Sequence, residues 1–276
     1  MGKDWSKGLT SATDLRVARN AAAHRGLRYR PRKGDRGVLI PLEWSSRTAY
    51  IVGLMATDGC LVGDRRHLVL TSADMSLLET FRDLIGKPKV KIRRKTSPLG
   101  SAHDLQFGDV ALWRFLEAAG LTPRKSLTLG ELHVPDECFF DCARGLLDGD
   151  GSISNFEHAP TPRQYPAYRY ERLLVKFHSA SRAHIDWLRD TVLRLVERRG
   201  YIAANQPEGR SNPVYVLTYG KHASIALLEQ MYRSADSPRL MRKYEIWRAY
   251  RDRQMHSNVH SLAIRAQLRT MDVTPT

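Results

Sequence analysis

The pattern Gly-Leu-hydrophobic-x-x-Asp-Gly-x-hydrophobic stands twice in this chain, at Gly53–Leu61 and at Gly145–Ile153. Each copy follows a helical periodicity and runs into strand-like residues, so each reads as the end of a helix. That end carries an acid where it is unfavourable. The last turn of a helix holds partial negative charge on its free carbonyls, so an exposed Asp there costs about 0.3–1 kcal/mol. The chain accepts this at Asp58 and again at Asp150, and Asp148 adds a third acid. One Asp-Gly alone is an ordinary turn into a hairpin. The same breach in two copies points to a use for the carboxylates. A divalent cation reverses the sign of the effect, because carboxylates and C-terminal carbonyls are hard oxygen ligands suited to Mg²⁺. The expected donors are Asp58 and Asp150, with the backbone at Gly59 and Gly151.

The helices before these acids carry a second regularity. Ala49, Gly53 and Thr57 recur every fourth residue, as do Gly145 and Gly149. A helix-interior Gly costs about 1 kcal/mol relative to Ala, so a packing reason is needed. Small residues at this spacing let two helix backbones approach closely. If the two helices pack in parallel, Asp58 and Asp150 end beside each other. Paired carboxylates holding metal against a phosphate backbone suit phosphodiester hydrolysis.

The rest of the chain repeats in the same order. The first copy reads as a helix over 46–58, a hairpin turning near Gly63-Asp64 with Leu68–Thr71 as its second strand, and a helix over 75–85. A strand at Lys89–Arg93 and its partner at His103–Phe107 follow, then a helix over 110–119. The second copy reads as a helix over 140–150, a loop over 156–168, a strand at Leu173–Phe177 and a helix over 183–198. Paired strands at Tyr201–Ala204 and Pro213–Leu217 follow, then a helix over 223–232. Leu105-Gln106-Phe107-Gly108 falls on Leu217-Thr218-Tyr219-Gly220, Thr71-Ser72-Ala73 on His178-Ser179-Ala180, and Pro123-Arg124-Lys125 resembles Arg239–Lys243. Two αββαββα copies related by a pseudo-twofold axis are the natural arrangement. The expected organisation is a basic extension at 1–44, repeats at 45–135 and 136–252, and a tail at 253–276. The extension, with a helix expected over about 14–25, reads either as a DNA-contacting arm or as a solvated tail.

Composition narrows the partners. The 276 residues carry a formal charge of +15, which points to a polyanion, nucleic acid before membrane. The three cysteines form no disulfide framework, and Cys138 and Cys142 read as buried small hydrophobes. The polar start Met1–Trp5 leads to the expectation of no signal peptide, no apolar run reaches membrane length, and the expected location is the cytoplasm, with the nucleoid.

The two motifs resemble those of the LAGLIDADG homing endonucleases in their single-chain, two-motif form. Ile51–Gly59 matches with Ala56 in place of the usual first acid, whereas Ala143–Gly151 keeps both acids, Asp148 and Asp150. The resemblance covers residues 45 to about 250. It implies a monomer of α+β class, a saddle of two four-stranded antiparallel sheets straddling double-stranded DNA, with the motif helices packed at the centre. It also implies site-specific cleavage of both strands by Asp58 and Asp150 with Mg²⁺, Mn²⁺ being able to substitute. Ser72 and Ser179 match the polar position after the second strand, and Lys221 matches a lysine before the last helix, with Asp109 as its counterpart. That mismatch implies unequal cutting of the two strands. DNA contacts are expected from Lys89, Lys91, Arg93, Arg94 and Lys95 in the first copy. In the second they are expected from Arg169, Arg172, Lys176 and His178, with Lys89, Lys91 and Arg93 sharing one strand face. The competing expectation is a DNA- or RNA-binding protein on the same scaffold that does not cut, a regulator or an intron maturase.

Overall fold

The computed structural model describes residues 13, 38, 40–97, 100–159, 163–165, 167–206, 209 and 211–271, with side chains through 256. Val38–Thr276 forms one compact unit. The helix expected over 14–25 lies outside the described residues.

The first repeat runs α1 (Ser46–Thr57), β1 (Gly59–Leu61), β2 (His67–Ser72), α2 (Met75–Leu84), β3 (Ile92–Ser97), β4 (Gly100–Gly108) and α3 (Val110–Ala118). After a 3₁₀ turn at Lys125–Leu127 the order returns as α4 (Asp136–Asp150), β5 (Ser152–His158), β6 (Tyr170–Ser179), α5 (Arg182–Val196), β7 (Tyr201–Asn205), β8 (Val214–Tyr219) and α6 (Lys221–Met231). A last helix, α7, spans Met241–Met271. The two sheets are antiparallel with the same order, β1-β2-β4-β3 and β5-β6-β8-β7. The class is α+β, built from two pseudo-twofold-related αββαββα repeats.

Local chemistry fixes the helix starts. Ser45 caps α1 through a reciprocal box, its hydroxyl accepting from Thr48 N while the Thr48 hydroxyl accepts from Ser45 N. Asp74 caps α2 by accepting from Ser76 N at 3.1 Å. Asp109 caps α3 by accepting from Leu112 N at 2.8 Å, and its other oxygen accepts from Val38 N at 2.7 Å. Asp109, the counterpart of Lys221, is therefore a buried helix cap.

Between the sheets α1 and α4 pack in parallel, and glycine makes this possible. A Cβ on Gly53 would stand 2.2 Å from Cys142 O and 2.9 Å from Gly145 Cα. A Cβ on Gly145 would stand 2.4 Å from Tyr50 O and 3.0 Å from Gly53 Cα. In the register that sets Asp58 on Asp150, Gly53 falls on Gly145 and Tyr50 on Cys142, so one contact is the image of the other. Farther along, Gly149 lies under the Thr57 side chain. One continuous apolar core runs from this seam into both sheets, and Cys138 and Cys142 are buried in it without a disulfide.

Three sequence expectations change. β3 starts at Ile92, so Lys89 and Lys91 precede the strand. β5 extends through Phe156 to His158 because those residues pair with Tyr170–Arg172, where a loop was expected. The helix α7 continues through 252, the expected end of the second repeat.

Candidate metal and phosphodiester site

Asp58 is the C-cap of α1 and Asp150 the last residue of α4, so the parallel seam delivers both carboxylates to one end. Burial and, next, the charge of Asp150 push the Asp58 carboxyl up to about 7. Burial also raises Asp150. Two lysines oppose these effects, and both were missed as site residues in the sequence. Lys243 reaches from α7 and donates to the carbonyls of Leu147 at 2.6 Å, Asp148 at 2.8 Å, Gly149 at 3.2 Å and Gly151 at 2.7 Å. Lys125 donates to Gly59 O. Each ammonium sits at the negative end of a motif helix, where the free carbonyls favour a cation. Burial lowers both lysines, Lys243 to about 8. The signal that could have found them was their recurrence in the two copies after the helices α3 and α6. Their acceptors include the Gly59 and Gly151 carbonyls, which were expected to face a metal.

Asp148 is fully buried and braces the end of α4. Its Oδ2 accepts from the Tyr50 hydroxyl at 2.7 Å and from Leu240 N at 2.8 Å, while Oδ1 has no hydrogen-bond partner among the described residues. Burial raises this carboxyl to about 6. The first repeat has Ala56 where the second has Asp148, and Cys142 stands where its hydroxyl donor Tyr50 would recur. Acid and partner are thus absent together, which leaves no orphaned hydroxyl.

Two open clefts flank the acid pair. One, about 650 Å³, is lined by Asp58, Thr71, Ser72, Ala73 and Gly149 among others. The other, about 470 Å³, is lined by Asp150, His178, Ser179, Ala180 and Thr57 among others. In the repeat register these sets are images of each other. Ser72 and Ser179 each accept from the backbone N–H two residues on, Asp74 N and Ser181 N, both at 3.1 Å. The clefts differ at His178, which shares a hydrogen bond with Asp150 O at 2.8 Å where the first repeat has Thr71.

The remaining expected residues divide by sheet face. Leu68, Leu70, Leu105 and Phe107 are buried toward the helices, so the opposite face of the first sheet carries Thr71, Asp104 and Gln106. Register puts Arg93 opposite Asp104 and Lys95 opposite Ala102 on that face, and Arg94 opposite His103 on the other. Arg172, Lys176 and His178 share the open face of the second sheet, because Leu173, Val175 and Phe177 point inward. Arg169 is exposed just before β6, and Lys89 and Lys91 are exposed before β3. Lys221 is not brought to the acids. Its ammonium lies over the Tyr250 ring at 5.7 Å and near Glu171, and Glu171 pairs near the far end of β5–β6, away from the Ser152–Lys176 pair that follows Asp150.

A family model described as a LAGLIDADG-like domain matches residues 45–120. The match contains the motif of Asp58 and ends before the motif of Asp150, whose repeat has the same element order and sheet topology as the LAGLIDADG-like one. No match is found among curated proteins. The chain is similar to the crystal structure of full-length DUF199/WhiA from Thermatoga maritima, at 13% identity over 83% of this chain and 70% of that one, with a TM-score of 0.47. It is similar to mesophilic variants of the homing endonuclease I-DmoI, at 16% identity over 68% and 96%, TM-score 0.45. It is also similar to the meganuclease I-SmaMI bound to uncleavable DNA, at 13% identity over 68% and 85%, TM-score 0.45. Among the described residues no helix is long and apolar enough to cross a membrane, and no group of three or more His, Cys, Asp or Glu is placed to hold a metal ion by itself.

Proposed function

We propose that the protein is a site-specific, divalent-metal-dependent DNA endonuclease that cuts both strands of a duplex. The observation that carries this reading is the juxtaposition of Asp58 and Asp150 at the ends of the two motif helices, where desolvation and the charge of Asp150 raise Asp58 and two lysines back the pair. A fold gains nothing from bringing two such acids together without a cation to neutralise them. The donor set fits Mg²⁺, which is usually held by one or two carboxylates, with water and substrate phosphate completing the shell. Asp58 and Asp150 would hold it, and a bound cation supplies charge neutralisation at the phosphate and a water of lowered pKa.

The chain's own residues do the rest. Lys125 and Lys243 place positive charge beside the acids and hold the helix ends in position. Ser72 and Ser179 line the two clefts, each within reach of one strand. Arg93, Lys95, Arg172 and Lys176 offer donors to phosphates and base edges from the open sheet faces. The two clefts, one per acid, match the two strands of a duplex.

A second reading is a DNA-binding protein on this scaffold that does not cut. Ala56 favours it, since one motif has lost an acid. Incubating the protein with a randomised duplex library and Mg²⁺, then sequencing the ends, separates the two. Cutting at one defined site, abolished by EDTA, supports the endonuclease. Retention of one sequence without any cut supports the binder and removes the endonuclease reading.

A further inference from the structure

The Asp58 cleft holds a residue that has no image in the Asp150 cleft. Arg242 comes from α7, in the second half of the chain, yet it lines the cleft with Asp58, Ser72 and Asp74. Its Nε donates to Asp74 Oδ2 at 2.8 Å. Asp74 uses its other oxygen to cap α2, so a rigid helix start holds the guanidinium. Arginine has five N–H donors, and no other hydrogen bond from Arg242 is formed among the described residues. The side chain is 63% exposed while Asp74 is 23% exposed, so the fork is anchored at its base and solvated at its tip. In the repeat register Arg242 falls on Arg124 and Asp74 on Ser181. Arg124 does not line the Asp150 cleft, and the Ser181 hydroxyl is spent on Leu129 O. The Asp150 cleft has His178 instead.

An exposed ion pair contributes only about 0.2–1 kcal/mol, so stability alone is a weak reason to bridge the two repeats here. A guanidinium fork held at one edge of an open cleft suits a phosphate, which it meets through paired donors. We propose that Arg242 binds the phosphodiester of the one DNA strand that lies in the Asp58 cleft, with Asp74 as its positioning residue. This deepens the endonuclease reading and rests on it. The expectation of unequal strand cutting attached to Lys221 and Asp109 thereby moves to a different pair, Arg242 and His178.

The test uses the full chain and an end-labelled duplex carrying its selected site, with each strand labelled separately. Arg242→Ala changes the ratio of the two strands' cutting rates by about 100-fold, the size seen when one preorganised donor is lost. Arg242→Lys restores part of the ratio, and Asp74→Asn, which keeps the helix cap, shifts it in the same direction by less. Equal slowing of both strands, or an unchanged ratio, overturns the proposal. A fold defect would slow both strands, and melting curves identify it. If the wild type binds the duplex without cutting, the endonuclease reading falls while the phosphate contact is still read. Arg242→Ala then lowers the slope of log affinity against log salt by about 0.9, and an unchanged slope overturns the contact.

Discussion

Lys243 shows how one side chain can serve both stability and a site. It donates to carbonyls at the end of α4, where helical donors run out, and it ties α7 to the motif helix. Lys243→Met keeps the volume and removes the donors. It should lower stability by about 2–4 kcal/mol, because several buried carbonyls lose charged partners, and denaturant melts measure this. His184 makes a different prediction. It lies in the first turn of α5, shares a hydrogen bond with Gly130 O at 2.9 Å and stacks on Trp187. Burial lowers its pKa from 6.5 to about 4. The folded state therefore binds this proton less readily than the unfolded chain. The stability from neutral His184 is present above about 6.5 and is lost as pH falls toward about 4, a loss on the order of 3 kcal/mol. Asp58 and Asp148, whose folded pKa values are raised, act in the opposite sense over part of that window. The expected outcome is thus a difference: between pH 7 and 4.5 wild type loses about 2–3 kcal/mol more than His184→Gln. Parallel melts of the two proteins across that range check it.

At the scale of elements, the α1–α4 seam is the part that tolerates least. A methyl group at Gly53 or Gly145 would meet backbone rather than a movable side chain. Gly53→Ala should destabilise by about 1–3 kcal/mol despite the better helix propensity of alanine. It should also reduce cutting, because separating the helices separates the acids. A chemical melt together with the cutting rate measures both effects. This seam was legible in the sequence because its signal is local: small residues every fourth position, then an acid and a glycine. The strand ends were less legible. Phe156–His158 looks like loop beside the prolines that follow, and only pairing with Tyr170–Arg172 makes it strand. The lysines were the hardest to place. Lys125 and Lys243 reach acceptors 66 and 92–96 residues away, and no local pattern announces such a contact. Lys221 stood at a more regular position beside a strand end and drew the assignment. Asp109, the counterpart of Lys221 in the repeat register, caps α3, a role that shows only once the N–H groups around it are known.

At the scale of the whole molecule, the two repeats make a pseudo-symmetric frame with unequal halves. The core, the sheet orders and the clefts repeat, whereas Ala56 with Cys142 replaces Asp148 with Tyr50, and Thr71 replaces His178. Positive charge is in excess overall and reaches the open sheet faces at Arg93, Lys95, Arg172 and Lys176. Binding to duplex DNA should therefore weaken steeply with salt, by about 10³-fold or more between 50 and 200 mM if six or more phosphates are neutralised. The repeat and its acids could be read from sequence because both copies keep the same short frame. The difference between the clefts could not, because it depends on Arg242 crossing from one repeat to the other. Cutting by the paired carboxylates at the helix ends is the chemistry proposed. It is tested most directly by strand-resolved cleavage of the selected duplex in Mg²⁺ by the wild type and by Asp58→Asn with Asp150→Asn. The double variant should bind the duplex as tightly as the wild type, or more tightly, and cut at least about 1,000-fold more slowly. Cutting of either strand at an undiminished rate by that variant would contradict that chemistry.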